Sequence, residues 1–352
     1  MRVNNQDYKT LWMEGQTVFM IDQNELPFHF KIRKFIDYQS ICKAIVDMTV
    51  RGAGAIGVAA GYAMALAFIE ASKTNNTSLA HQARQCIENT RPTARNLFYA
   101  TKLVYEAGLI GWEHALAKAE ELAIENITEA RNIALFGNQI LENGMKILTH
   151  CNAGWLGFVD WGSALAPIYE AHRSGKKLFV YADETRPRGQ GGRLTAWELQ
   201  QEGIPFTIVP DNAGAWLMSN NMVDIIITGA DRVAANGDAA NKIGTFEKAI
   251  IAKTFGIPFY IAAPSSTFDL ACDNGGQILI EQRSKDEVLW QTGPTKDGKM
   301  ETIQVCAPGA DALNPAFDVT PAEDITGLIT DKGIIKPTKT SIFKTLMNIE
   351  TD

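Results

Sequence analysis

The apolar positions along the chain change rhythm once. Up to about residue 145 they recur mainly at helical spacing. An alternating stretch at Thr17–Ile21 predicts a short strand, after which the spacing predicts helices over Ile36–Met48, Leu79–Glu88, Ala94–Tyr105 and His114–Gly144. Asn89–Thr93 interrupts the pattern, and Pro92 favours a helix start just after it. Gly52–Ile69 is a run of roughly 18 residues without a charge, near the lower limit for crossing a bilayer. It is mostly Gly and Ala, which gives little transfer energy, so it reads as a buried, tightly packed helix.

From Lys146 the texture becomes short apolar runs alternating with helical stretches. The runs are KILTH (146–150), KLFVYA (177–182), PFTIV (205–209), VDIIIT (223–228) and IPFYIAA (257–263), with helices expected at Ser163–His172, Leu194–Gln201 and Ala239–Thr254. Gly175, Gly203 and Gly256 precede strands and suit helix ends in the left-handed conformation. This order predicts a doubly wound parallel sheet. The expected class is α/β: a small, mainly helical N-terminal domain (1–145) followed by a Rossmann-like parallel-sheet domain (146–352). A polar excursion at about 273–312 carries strand candidates QILIEQ and TIQVCA and a turn-like TKDGK. The tail ends in a helix, without an anchor motif.

Composition narrows the function classes. A hydrophobic share of 46% excludes a disordered chain. With 33 Lys plus Arg against 40 Asp plus Glu, the net charge of −7 argues against general nucleic-acid binding. An anionic ligand then needs a local basic pocket. The five cysteines are far apart, with no CxxC pair and no His at ligand spacing, so neither a disulfide scaffold nor a metal site is expected. The N-terminal MRVNNQDYKTLWMEGQ lacks the apolar core of a signal peptide. A cytoplasmic protein with no membrane and no nucleic-acid partner is the expectation.

In an open parallel sheet, ligands bind at the carboxyl ends of the strands. The polar residues at the predicted ends are Cys151-Asn152, Asp183–Arg186 with Gln190 beyond them, Asp211, Asp231-Arg232 with Asn241-Lys242 further on, and Ser265-Ser266. They should converge at one rim. Cys151 precedes a glycine-bearing turn and a helix whose amides can polarise a thiol; a small buried hydrophobe is the equal alternative. Asp231 suits either a turn that binds backbone N–H groups or a general acid/base with a raised pKa. His150 points to the opposite face of the strand and reads as structural. Arg51–Gly57 contains GxGxxG, but a helix precedes it where a dinucleotide site needs a strand. Its glycines, Gly52 among them, suit close helix packing or approach of backbone amides to a phosphate. Arg51 and Arg91 are candidate phosphate partners, with surface salt bridging as the alternative.

Taken together, RGAGAIG (51–57), RPTARNLF (91–98), THCNAG (149–154), DETRPRGQGGRLTAWEL (183–199), GADRVAANGDAANKIGT (229–245) and NPAFDVTP (314–321) resemble the S-methyl-5-thioribose-1-phosphate isomerase family. Its superfamily includes ribose-1,5-bisphosphate isomerase and the regulatory subunits of the exchange factor for translation initiation factor two. The resemblance implies a catalytic pair, Cys151 and Asp231, and substrate binding by Arg51, Gly52, Ala53, Arg91, Gln190, Asn241 and Lys242. It further implies a sugar-phosphate substrate, no metal, no cofactor and a homodimer. It implies an aldose–ketose isomerase of methionine salvage, acting by proton or hydride transfer. Trp155–Gly162, QGG in place of QGA, and the long excursion depart from the family pattern. Bulky residues beside the thiol bear on the 5-substituent, with a 5-deoxy sugar as the rival to methylthio. The same motifs leave room for a ribose-1,5-bisphosphate isomerase and for a non-catalytic regulatory subunit.

Overall fold

A computed structural model describes residues 1–76, 78–92 and 94–347. Thr93, in the expected break at Asn89–Thr93, lies outside them. Near the N-terminus a three-stranded antiparallel meander forms from Leu11–Glu14, Thr17–Ile21 and Ile32–Phe35. Only its middle strand was legible as alternation. Helices α1 (Tyr38–Val46), α2 (Ala53–Thr74), α3 (Leu79–Thr90), α4 (Arg95–Gly108) and α5 (Trp112–Asn138) follow. Asp37 caps α1 by accepting from the Ser40 amide at 2.7 Å.

Helix α2 is the centre of this region. It is long and apolar enough to cross a membrane, yet 89% of its apolar window is buried inside the protein, as expected of a core helix. Its small residues let α4 and α5 come close: a Cβ at Gly57 would lie 3.1 Å from the Asn96 carbonyl oxygen. Helix α5 stops at Asn138, short of the Gly144 expected from spacing, because Gln139–Leu141 tighten into i→i+3 bonds. Ile140 and Leu141 prolong the apolar pattern without prolonging the helix.

The second region is a seven-stranded sheet: β1 (Lys146–Thr149), β2 (Phe179–Asp183), β3 (Phe206–Val209), β4 (Ile225–Thr228), β5 (Phe259–Ala262), β6 (Gly327–Thr330) and β7 (Gly333–Ile335). The order is β7-β6-β5-β4-β1-β2-β3, parallel except for the antiparallel edge β7. The first five strands coincide with the predicted runs. Helices close the crossovers, and Gly203 (φ 70°) and Gly256 (φ 67°) end two of them in the left-handed conformation. The chain winds outward from β1 to β3 and then crosses back to place β4 beside β1. The topological switch point, where open sheets bind ligands, therefore lies between the ends of β1 and β4.

Two expectations are corrected. Ala239–Lys242, read as the start of a helix, is a strand of a second, four-stranded sheet, pairing with Arg232–Ala234 and with Phe317–Thr320. The helix begins only at Thr245. Alanine favours helices, but the tight turn at Asn236-Gly237 (φ 98°) folds the segment back as a hairpin. QILIEQ forms no strand beyond an isolated bridge from Gln282 to Pro315. TIQVCA lies partly in a hairpin, Trp290–Pro294 with Met300–Gln304, that TKDGK closes.

Candidate active site

The nine residues that the resemblance implies in catalysis or binding all line one pocket: Arg51, Gly52, Ala53, Arg91, Cys151, Gln190, Asp231, Asn241 and Lys242. It opens at the switch point between β1 and β4. The helical region covers it with the N-terminus of α2 and with Arg91, the residue that ends α3.

Cys151 directly follows β1 and adopts φ 64°, a left-handed backbone uncommon for a residue with a side chain. Its amide donates to Thr185 Oγ1 at 2.9 Å, and its carbonyl accepts from Thr195 Oγ1 at 2.7 Å. These bonds hold the unusual conformation and aim the thiol. Burial pushes the Cys151 thiol up; Lys242 and Arg51 oppose the shift. The expected polarisation by a following helix is corrected. Only a three-residue turn, Trp155–Gly157, comes next, and the helix starts at Ala166.

Asp231 follows β4, and its amide donates to the Ala240 carbonyl at 2.9 Å. The hairpin thereby sets Asp231 beside Asn241 and Lys242, although residues 232–240 separate them along the chain. Burial pushes the Asp231 carboxyl up, against the pull of Lys242, Arg91, Arg51 and Arg283. Burial also lowers Lys242, whose Nζ donates to the Ala316 carbonyl at 2.9 Å and lies 4.9 Å from the Phe317 ring centroid.

Arg51 donates to Asn152 Oδ1 and to the Asn152 carbonyl, both at 2.7 Å. Asn152 in turn donates to Glu198 Oε1 at 2.7 Å. Glu198 is fully buried and accepts from the Trp155 amide at 2.8 Å and from the Tyr169 hydroxyl at 2.5 Å. Burial pushes its carboxyl up to about 7 in spite of these donors. Gly154 leaves room for the carboxylate: a Cβ there would lie 1.9 Å from Glu198 Oε2. Gly52, at φ 87°, meets Gly157 backbone to backbone, where a Cβ would lie 2.4 Å from the Gly157 Cα. The glycines of GxGxxG thus serve close packing, and α1 precedes them where a dinucleotide site requires a strand.

Among the described residues, two buried polar atoms on the pocket wall lack a protein partner: Arg91 Nε, a donor, and Gln190 Oε1, an acceptor. Such groups are costly unless something fills them. Arg91 also pairs with Glu281 at 3.4 Å. Sequence reasoning missed Arg283, Met48 and Arg95 on the wall. Arg283 comes from the polar excursion, and its Nη2 reaches Met48 Sδ at 3.2 Å. Nothing in its local sequence marks it. The bridge at Gln282 and Pro315, where the chain returns to the sheet, puts it there.

Other candidate strand ends do not converge. Asp211 lies behind the pocket, accepting from the Thr185 amide at 2.6 Å and the Arg186 amide at 2.7 Å. Ser265 donates to Asp331 at 2.7 Å. His150, expected on the opposite face of the strand, instead lines the pocket, its ring held between Asp183 at 2.7 Å and the Ile243 carbonyl at 2.8 Å. His150, Asp183 and Asp211 come close enough to hold a metal ion. The Lys248 ammonium, however, already lies 3.4 Å from Asp183 and donates to the Asp211 carbonyl, so these residues do not fit a cation well.

The scaffold and the rim define a class. The profile of the initiation factor 2 subunit family matches residues 49–337. Methylthioribose-1-phosphate isomerase of Thermoanaerobacter sp. (strain X514) is 44% identical over 342 residues, covering 94% of this chain and 96% of its own. The isomerase of Methylobacterium nodulans is 42% identical, covering 98% of each. Among solved structures, 5-methylthioribose 1-phosphate isomerase from Pyrococcus horikoshii OT3 is 38% identical with a TM-score of 0.86, covering 98% of this chain and 97% of that one. A structure described as translation initiation factor eIF-2B, subunit delta, from A. fulgidus is 35% identical with a TM-score of 0.83, covering 97% and 100%. The chain belongs to the initiation factor 2 subunit family, on its methylthioribose-1-phosphate isomerase branch.

Proposed function

We propose that this chain is an aldose–ketose isomerase that converts 5-methylthioribose 1-phosphate to 5-methylthioribulose 1-phosphate, the reaction its relatives' names describe, with Cys151 and Asp231 as its reacting pair. One observation carries the assignment of roles. A thiol and a carboxyl, both shifted by burial toward their neutral forms, share a pocket with Arg51, Arg91 and Lys242.

A sugar 1-phosphate does not open freely to an aldehyde, because the phosphate locks the anomeric oxygen. The ring must open with phosphate attached. A carboxyl that keeps its proton is suited to giving it to the ring oxygen, which is the part taken by Asp231. The hydrogen on C2 then moves to C1 and the C2 hydroxyl loses its proton, leaving the ketose. Cys151 works at the C1–C2 edge, carrying the proton of a phosphoenolate or shaping a hydride shift. Arg51, Arg91 and Lys242 bind the phosphate, a planar guanidinium matching two of its oxygens at once. The α2 N-terminus, at Gly52 and Ala53, adds backbone donors. Gln190 Oε1 accepts a sugar hydroxyl, and Asn241, whose amide donates to Thr245 Oγ1 at 2.9 Å, holds the sugar beside Lys242.

The mainly helical domain (1–145) supplies Arg51, Gly52, Ala53 and Arg91 for recognition, and the Rossmann-like domain (146–352) supplies the reacting pair with Gln190, Asn241 and Lys242, with the 273–312 excursion as part of the wall. The chain works as a homodimer in the cytoplasm. Exposed Ile208 on the edge strand β3, with Trp216 and Ile250 on neighbouring helices, supports the first. Five free thiols support the second.

The test is a substrate panel of 5-methylthioribose, 5-deoxyribose and ribose 1-phosphates with ribose 1,5-bisphosphate. Methylthioribose 1-phosphate should have the highest kcat/KM. Preference for another member, or no turnover at all, would overturn the assignment. Deuterium uptake at C1 from heavy water separates proton transfer from a pure hydride shift.

A further inference from the structure

Two thiols outside the pocket face each other across α1 and α3. Cys42 Sγ lies 3.7 Å from Cys86 Sγ. Both are free; Cys42 is buried, and Cys86 is exposed to solvent. A dissolved reagent therefore meets Cys86 first, while Cys42 sits within reach of Cys86. The two helices also share a destination. Helix α1 ends at Val46 and leads directly to Met48 and Arg51, and α3 ends with Arg91 as its C-cap. All three of these residues line the pocket.

We propose that Cys42 and Cys86 are a dithiol modification site that a small-molecule disulfide closes to a reversible protein disulfide, tying together the two helices that deliver Arg51 and Arg91. The exchange balances in two steps. The Cys86 thiolate attacks one sulfur of the small disulfide, forming a mixed disulfide and expelling one thiolate. The Cys42 sulfur then attacks that of Cys86 and expels the second. Two protein thiols are oxidised and the reagent is reduced to two thiols, which take up the two protons released. Forming a bond of about 2.05 Å from a 3.7 Å contact requires the sulfurs to approach by about 1.7 Å. Side-chain rotation takes up part of this, and the rest draws the two helices together.

The experiment treats the full chain with oxidised glutathione and reads intact mass and mapped peptides. The expected product has lost two hydrogens, carries no adduct, maps to Cys42–Cys86 and reverts with dithiothreitol. Cys42→Ser should instead retain one glutathione on Cys86. Cys86→Ser, a change at an exposed position, should leave Cys42 unmodified. Glutathione retained on Cys86 in the native chain, or no reaction there, would overturn the bridge. A kinetic arm rests on the reading of Arg51 and Arg91 as substrate ligands. The bridged enzyme should show a several-fold changed KM with kcat preserved. An unchanged KM overturns the link to the arginines, whereas inactivity of the reduced enzyme counts against the proposed function and leaves the bridge standing.

Discussion

The sheet region brings Cys151, Asp231 and Lys242 to the pocket at strand ends tied down by backbone bonds, while the helical region brings Arg51 and Arg91 on the segments that follow α1 and α3. Desolvation shifts groups on both walls: the half-buried Cys151 thiol and Asp231 carboxyl upward, the buried Lys242 ammonium and the Arg91 guanidinium downward. Cations on the second wall are held by side chains, Arg51 by Asn152 and Arg91 by Glu281. Burial in a rigid sheet tunes proton affinity, and this is what acid/base chemistry needs. A guanidinium stays charged even where burial lowers it, as at Arg91, and this is what phosphate recognition needs. The comparison predicts a split between kcat, set by Cys151 and Asp231, and KM, set by Arg51 and Arg91.

The largest effects should come from the sheet wall. Cys151→Ser and Asp231→Asn should each lower kcat by about 10²–10⁴-fold with little change in KM. Steady-state kinetics check this, and near-native kcat in either variant removes that residue from the reacting pair. Next come the arginines. A hydrogen bond to a charged group is worth about 1.5–3 kcal/mol, so Arg51→Ala or Arg91→Ala should raise KM by roughly 10–100-fold. A fall confined to kcat would put the arginine in the chemistry and erase the split.

Glu198 sharpens the comparison because it sits in the sheet region but acts on the other wall. It holds Asn152, and Asn152 holds Arg51. Glu198→Gln should therefore raise KM several-fold, about 1 kcal/mol of weakened positioning, and spare kcat. Loss of kcat alone would break the relay.

The smallest effect on turnover is expected of Glu129, which is not among the pocket residues, lies near Asp331 and accepts from Ser266 Oγ at 3.4 Å. Burial pushes its carboxyl up to about 8 from an ordinary 4.5. Between those values the folded chain holds a proton that the unfolded chain has released, so stability falls as pH rises from 4.5 to 8. Glu129→Gln should flatten this slope and raise the melting temperature above pH 8, with kcat unchanged. A melting curve whose pH dependence matches that of the native chain would remove Glu129 as its source.

How much of this was legible follows from where each signal lives. The five core strands are short apolar runs closed by turn residues, a local pattern, and the strand-end rule led from them to Cys151 and Asp231. The nearness of Asp231 to Lys242 was also written locally, in the Asn236-Gly237 turn between alternating residues, but the alanines around it looked helical. Arg283 and Glu198 left no local mark. One reaches the pocket because the excursion returns to the sheet at Pro315, and the other because Asn152 and Tyr169 fold over it. Both depend on contacts between residues far apart in sequence, to which periodicity is blind. The N-terminal meander was missed because its outer strands, at Leu11–Glu14 and Ile32–Phe35, are four residues each, and neither LWME nor IRKF alternates apolar with polar.

The contact of Gly52 with Gly157 has a practical consequence for redesign. At that point the cavity wall is main chain against main chain, so no trimming of side chains can deepen it, and any added atom would wedge the two regions apart. A library aimed at bulkier sugars should leave this seam alone and diversify Met48, Phe158 and Leu279, pocket residues with side chains to exchange.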